Sequence, residues 1–106
     1  MNGNIYTELG LKHGDKTIAA KGWIEFEGNE QEATLTVKFT QNGAWGTRSQ
    51  VYTRNGESRI DWELDVTAAY GATFQRSLAH GRADADVTAP ANALDAGWDK
   101  DVALGS

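Results

Sequence analysis

The Asn55-Gly56 pair is the feature that most restricts how this chain folds. A type I′ turn, a two-residue hairpin loop, needs a positive φ at both central residues, and asparagine followed by glycine reaches that conformation at low cost. The segments on both sides of the pair, between residues 45 and 66, alternate apolar and polar side chains. We therefore predict a β-hairpin in which Val51 faces Ile60. The second strand has four positions that we expect in the core: Ile60, Trp62, Leu64 and Val66.

The composition extends this expectation to the whole chain. Its 106 residues include twelve glycines and one proline. Threonine, valine, isoleucine and aromatic residues recur at short spacings, as they do in strands joined by tight turns. The chain has no cysteine, which excludes a disulfide framework, a thiolate metal site and a thiol nucleophile. The length and composition predict one all-β domain.

Other glycine-containing pairs predict further turns. Gly14-Asp15, Gly28-Asn29 and Gly81-Arg82 each fit a tight hairpin that keeps apolar positions facing one another. At Asn42-Gly43 two alternatives exist: a three-residue loop over 41–43 with a bulge, or a crossing to a second sheet. A two-residue loop is rejected because it places Trp45 and Val51 on the outer face, and of the two alternatives we favour the crossing. Residues 67–73 predict another crossing.

About seven strands grouped in this way predict an immunoglobulin-like antiparallel β-sandwich, with an up-and-down β-barrel as the alternative. We expect the sandwich to occupy residues 1–90. Residues 91–106 are rich in alanine and aspartate and predict a partly disordered C-terminal tail, with a short helix near 91–96 and disorder beyond Asp99.

A family resemblance covers about residues 22–80. The run from Gly22 to Asn29 and the segments 35–37, 42–45 and 74–76 resemble small immunoglobulin-like β-sandwich modules of secreted actinobacterial proteins. The matching positions are mostly turn glycines and core residues, and the cysteine pair common in such modules is missing. The resemblance implies a non-catalytic secreted domain, and no binding residues carry over from it.

Charge and the first residues restrict the partners. The net charge of −5 and a pI near 4.8 argue against nucleic acid and anionic membranes, which require a basic surface. The first ten residues lack the basic start and apolar centre of a signal peptide. We expect either a cytoplasmic protein or the mature form of a secreted one, and favour the secreted form.

Catalytic and metal-binding patterns are weak. His13 and His80 both precede a glycine, where a solvated histidine at a turn is the ordinary interpretation. Five aspartates raise the question of calcium, although no glycine-pivoted loop of the usual kind accompanies them. They are Asp84, Asp86, Asp95, Asp99 and Asp101. We therefore predict no catalytic residue, no metal site and no cofactor.

Two aromatic residues are the best candidates for function. Trp23 lies out of phase with the apolar positions of its strand, and Tyr52 is out of phase with Val51, so both are predicted to face outward. Arg48 and Arg54 flank Tyr52. The alternative is that Trp98 covers one of the two aromatic rings. We predict a non-enzymatic module that binds another protein through these four residues, with carbohydrate binding as the alternative.

Overall fold

The computed structural model describes residues 1–5, 17–68, 78–90 and 97–103. These ranges form an all-β sandwich of two antiparallel sheets, with the orders β1-β2-β5 and β4-β3-β6-β7. Its seven strands are β1 (Asn2–Ile5), β2 (Thr17–Glu25), β3 (Glu32–Gln41), β4 (Ala44–Thr53), β5 (Arg59–Thr67), β6 (Ala79–Ala89) and β7 (Trp98–Ala103). The predicted sandwich class is confirmed. No helix of the described chain is long and apolar enough to cross a membrane.

Strand alternation builds the core between the two sheets. Apolar side chains at every second position of β2, β3 and β5 point inward, as the period of a half-buried strand requires. The largest fully buried side chains are Ile5, Ile18, Ile24, Phe26, Leu35, Val37, Phe39, Val66 and Val87. The predicted burial of Trp62, Leu64 and Val66 is confirmed, while Ile60 is partly buried against this core.

The predicted hairpin at Asn55-Gly56 is wrong. β4 pairs with β3 and β5 pairs with β2, so the connection between β4 and β5 passes from one sheet to the other. Gly56 has the positive φ expected of it, +81°. Asn55 does not, because Asn42 is the one non-glycine of the described residues with a positive φ. Asn55-Gly56 therefore does not form the predicted turn with a positive φ at both residues. The local signal identified a chain reversal and could not specify the sheet that the next strand joins.

Gly28-Asn29 is likewise a crossing and not a hairpin, because β2 and β3 lie in different sheets. A buried carboxylate holds this connection. The Glu27 backbone N–H donates to Glu30 Oε1 at 2.7 Å, and the Met1 ammonium lies 3.3 Å from Glu30 Oε2. A buried charge with these partners fixes the path between the sheets.

The favoured crossing at Asn42-Gly43 is also wrong, since β3 and β4 form a hairpin. Thr40 pairs with Ala44, so residues 41–43 form the three-residue loop of the other alternative. A bulge then shifts the register between Thr40 and Phe39. Gly43 has a φ of +125°. Beyond the bulge Val51 faces outward and is 50% exposed. The exposed valine that argued against this register is present in the fold.

The C-terminal part differs most from expectation. β6 runs continuously through Gly81-Arg82, so the hairpin predicted there is wrong. Trp98–Ala103 pairs with β6 as β7, and the tail prediction is wrong for these six residues. The predicted crossing after β5 is confirmed, because β5 and β6 belong to different sheets. The helix suggested near 91–96 lies outside the described residues.

β1 pairs antiparallel with β2, with Ile5 opposite Gly22. The predicted pairing of the first strand with the second is therefore confirmed for Asn2–Ile5. The Gly14-Asp15 turn and His13 lie outside the described residues.

Candidate binding face

The outer surface of the three-stranded sheet has Trp23 near its centre. We call this surface the outer face; it comprises the solvent-directed side chains of β1, β2 and β5. Trp23 lies on the middle strand, between Asn4 of β1 and Asp61 of β5. Along the same strand pair, Lys21 is opposite Glu63 and Glu25 is opposite Arg59. The face therefore surrounds one aromatic ring with polar and oppositely charged side chains.

Arg59 covers part of this aromatic ring. Its guanidinium carbon lies 4.8 Å from the centre of the Trp23 ring, a cation–π distance. The same guanidinium donates from Nε and Nη2 to Asp61 Oδ1 at 3.2 and 3.1 Å. Trp23, Arg59 and Asp61 thus form one cluster, in which Asp61 orients the cation on the ring. The side chains of Arg59 and Asp61 are 49% and 74% exposed, so both are accessible to a partner.

A shallow cleft lies beside this cluster. It encloses about 350 Å³ and is lined by Lys21, Gly22, Arg59, Asp61, Trp62 and Glu63. Gly22 is required here, because a Cβ at this position would lie 2.5 Å from Cζ2 of Trp62. Nε1 of Trp62 is buried and has no acceptor in the described part of the chain. The cleft is thus lined by the charged side chains of Lys21, Arg59, Asp61 and Glu63, and by Gly22 and Trp62, which pack closely together.

Tyr52 does not share this surface. It pairs with Ala33 on the other sheet and packs against the core, so the predicted outward orientation is wrong. Burial raises the pKa of Tyr52 above the ordinary value for a tyrosine, and the Arg48 guanidinium partly offsets this rise. The error follows from the hairpin register, since a one-residue change moves a side chain to the opposite face.

The two predicted arginines have structural contacts. Arg48 is exposed and its Nη1 donates to the Asp65 carbonyl oxygen at 3.2 Å, which links β4 to β5 across the edge of the sandwich. Arg54 Nη1 donates to the carbonyl oxygens of Gly28 and Glu30 at 2.9 and 3.2 Å. Of the four predicted binding residues, only Trp23 lies on the outer face.

Three of the five acidic residues considered for calcium surround a cation of the protein itself. Arg82 donates to Asp84, Asp99 and Asp101 at distances between 2.6 and 3.1 Å. The hydrogen bonds that Arg82 donates to Asp84 and Asp99 raise its pKa above the ordinary value. Asp95 lies outside the described residues. His80 is exposed on β6, within a strand and not beside a turn.

Arg59 and Asp61 were not predicted as site residues. They follow the Asn55-Gly56 pair, and a hairpin there would pair them with β4. Only the observed pairing of β5 with β2 brings them beside Trp23. The charge alternation along β5 was visible in the sequence, but it does not identify the neighbouring strand.

Comparison of the chain with models of known protein families, with curated proteins and with solved structures finds no match. The candidate site therefore rests on geometry alone.

Proposed function

We propose that this chain is an immunoglobulin-like binding module that recognises another protein through its outer face. Strand order supports the fold assignment. In constant-type immunoglobulin domains, strands lettered along the chain form the sheets A-B-E-D and C-F-G. Here β1, β2 and β5 take the places of A, B and E, and β3, β6 and β7 take those of C, F and G. The fourth strand differs, because β4 pairs with β3 and not with β5.

The Trp23–Arg59–Asp61 cluster is the observation that carries the proposed binding function. Tryptophan and arginine dominate the energetics of protein interfaces, because each combines a large contact area with specific polar groups. On the outer face both are partly exposed, and their geometry is set by a neighbouring carboxylate and by strand pairing. Residues ordered before binding lose less conformational entropy when the complex forms. We assign no catalytic residue, metal or cofactor to this face.

Carbohydrate binding is the second candidate, and the same cluster disfavours it. A sugar ring that stacks on tryptophan needs an open aromatic face, whereas the Arg59 guanidinium lies over Trp23 at 4.8 Å. Stacking a sugar there requires Arg59 to move and its hydrogen bonds to Asp61 to break. A protein partner can use the arginine and the ring together.

Affinity capture with matched variants tests the proposal. The wild-type domain is immobilised, and retained proteins from the producing cells are quantified by mass spectrometry. Trp23→Ala and Asp61→Ala remove parts of the cluster. The control is Ser49→Ala, because Ser49 is exposed on β4 in the other sheet. We expect a set of proteins retained by the wild type and by the Ser49 variant and lost from both cluster variants.

Each variant is first checked by thermal unfolding, so that a loss of retention is not a loss of folding. Retention that is unchanged in both cluster variants would exclude the outer face as the binding surface. Glycan binding that quenches tryptophan fluorescence in the wild type, and not in Trp23→Ala, would favour the carbohydrate alternative.

A further inference from the structure

The backbone of β5 has a defined free side. The Phe26 N–H donates to the Ser58 carbonyl oxygen at 2.7 Å, just before β5 begins, and the pairing of β2 with β5 continues that register. In an antiparallel pair, successive residues direct their N–H and C=O groups alternately toward and away from the partner strand. Even-numbered residues of β5 therefore bond to β2. Arg59, Asp61 and Glu63 direct theirs to the opposite side, where no strand of the described chain pairs with β5.

The residues with outward-directed backbone groups also carry the outer-face side chains. Three of the four outer positions from 59 to 65 are carboxylates: Asp61, Glu63 and Asp65. Asp61 and Glu63 are exposed. Their spacing of two residues equals the repeat of side chains on one face of an added strand. The charge pattern of β5 thus complements a strand with positive side chains at alternate positions.

The four-stranded sheet extends sideways beyond the edge of the three-stranded sheet at β5, and the part that extends is in β4. Gln50 and Arg48 of β4 pair with Leu35 and Val37, whose side chains are fully buried on the core side. Paired residues in a sheet direct their side chains to the same face, yet Gln50 and Arg48 are exposed. The core side of β4 is therefore uncovered at Arg48 and Gln50, because the three-stranded sheet ends at β5. A further strand beside β5 would lie over this surface.

We propose that a partner protein contributes an extended segment that pairs antiparallel with the free edge of β5 and places lysine or arginine side chains opposite Asp61 and Glu63. This rests on the proposed protein-binding function and specifies its mode. The added strand completes a four-stranded sheet, in the position next to E that D takes in constant-type domains. Backbone hydrogen bonds to residues 59–63 supply affinity, and the alternating charge selects the partner. The net charge of −5 attracts a basic segment during approach.

Arg48 limits the length of this site. Its Nη1 donates to the carbonyl oxygen of Asp65, so the edge is occupied at that residue. The residues of β5 that remain available for pairing are therefore those from Arg59 to Glu63. At Arg59 the partner residue is small or acidic, because the guanidinium already lies over Trp23.

Short synthetic peptides test the mode. The probe is a capped peptide of alternating lysine and valine, with alanine at the position that would lie opposite Arg59. One control has the same residues with all lysines in one block, and a second has methylated backbone nitrogens at alternate positions. Binding is followed by amide chemical shifts of the labelled domain. We expect the alternating peptide to shift the amides of residues 59–63 and to bind at least about fivefold tighter than either control, since only it forms the backbone bonds.

Domain variants separate charge from backbone pairing. Glu63→Gln is expected to weaken binding by about two- to fivefold, the range for one exposed ion pair, and less at high salt. Glu63→Pro also removes the Glu63 N–H, which is directed to the free edge. A sheet edge tolerates proline, so we expect this variant to fold but to lose binding. Lys38→Gln on the other sheet is the control and leaves binding unchanged. Equal binding of the alternating and blocked peptides, or shifts centred on another surface, would overturn the proposal.

Two results distinguish this mode from the broader function. If the peptides fail while captured proteins still depend on Trp23, strand addition at β5 is wrong and the outer face remains the binding surface. Concentration-dependent dimerisation through residues 59–63, measured by sedimentation, would replace the basic partner with a second copy of the chain and also overturn the proposal.

Discussion

Tyr52 shows how one position on an edge strand combines packing with charge. Its ring packs against the core from β4, opposite Ala33, and its pKa is raised by burial. Arg48 lies four residues earlier on the same side of the strand and favours the ionised phenolate, but burial has the larger effect. The folded state therefore holds the phenol proton more tightly than the unfolded chain does.

This pKa shift predicts a stability change at alkaline pH. Below the ordinary tyrosine pKa of 10.0 the contribution of Tyr52 is fully present, and it is lost as the pH rises toward the higher pKa of the folded state. We expect the melting temperature to fall between about pH 9 and about pH 11, and to fall less in Tyr52→Phe. The other tyrosines are present in both proteins, so the difference isolates Tyr52. Parallel pH profiles would contradict the buried position.

At the scale of the element, β6 and β7 are joined by charge as well as by backbone pairing. Arg82 of β6 contacts its own strand through Asp84 and reaches β7 through Asp99 and Asp101, at 2.6 and 3.1 Å. One guanidinium thus contacts three neighbouring carboxylates and offsets part of their negative charge. Without it, the three carboxylates on these two strands lose the cation that contacts all of them.

We predict that Arg82→Gln lowers the melting temperature and increases hydrogen exchange of the β7 amides, Trp98–Ala103, because the three aspartates then repel one another. The effect should diminish in high salt, which screens this repulsion. Lys38→Gln is the matched control, since Lys38 is opposite Arg82 on β3 and its loss leaves the three aspartates with their guanidinium. A loss of stability that does not change with salt, or that the Lys38 variant reproduces, would count against this role.

The sequence predicted where strands occur better than it predicted which strands pair with each other. Alternation placed Trp62, Leu64 and Val66 of β5 in the core, because burial on one face imposes a period of two. Gly28-Asn29 and Asn55-Gly56 marked real chain reversals. Both connect strands of opposite sheets, and alternation cannot reveal this because apolar faces meet across a sandwich as well as within a hairpin. Trp23 was found by parity alone, whereas Arg59 and Asp61 required the sheet pairing.

At the scale of the molecule, the first and last described strands close one side of the sandwich. Gly3 of β1 lies against the Trp98 indole of β7, where a Cβ would be 2.9 Å from Cδ2. Lys100 Nζ donates to Asn4 Oδ1 at 2.8 Å. Segments almost a full chain length apart in sequence therefore share a contact, and Trp98–Ala103 is part of the fold.

We predict that Trp98→Ala lowers the free energy of unfolding by about 2 kcal/mol or more, because a large partly buried ring is lost where two strands meet. Lys100→Ala, which removes only the exposed hydrogen bond to Asn4, should cost less than about 1 kcal/mol. Chemical denaturation measures both. A Trp98 variant as stable as the wild type would show that β7 contributes little to the core.

Arg48 has a consequence for how copies of the molecule behave when crowded. Unpaired edge strands can act as templates for fibres. The β4 sequence from Thr47 to Thr53 has no charged residue except Arg48, and such neutral strands favour fibre growth. A second β4 paired here would have to desolvate a guanidinium on the core side. The remaining outer strands, β1 and β7, are short. Indefinite polymerisation needs two long receptive edges on each molecule. Among the described strands one such edge remains, at β5, so edge-to-edge association through these strands ends after a single partner.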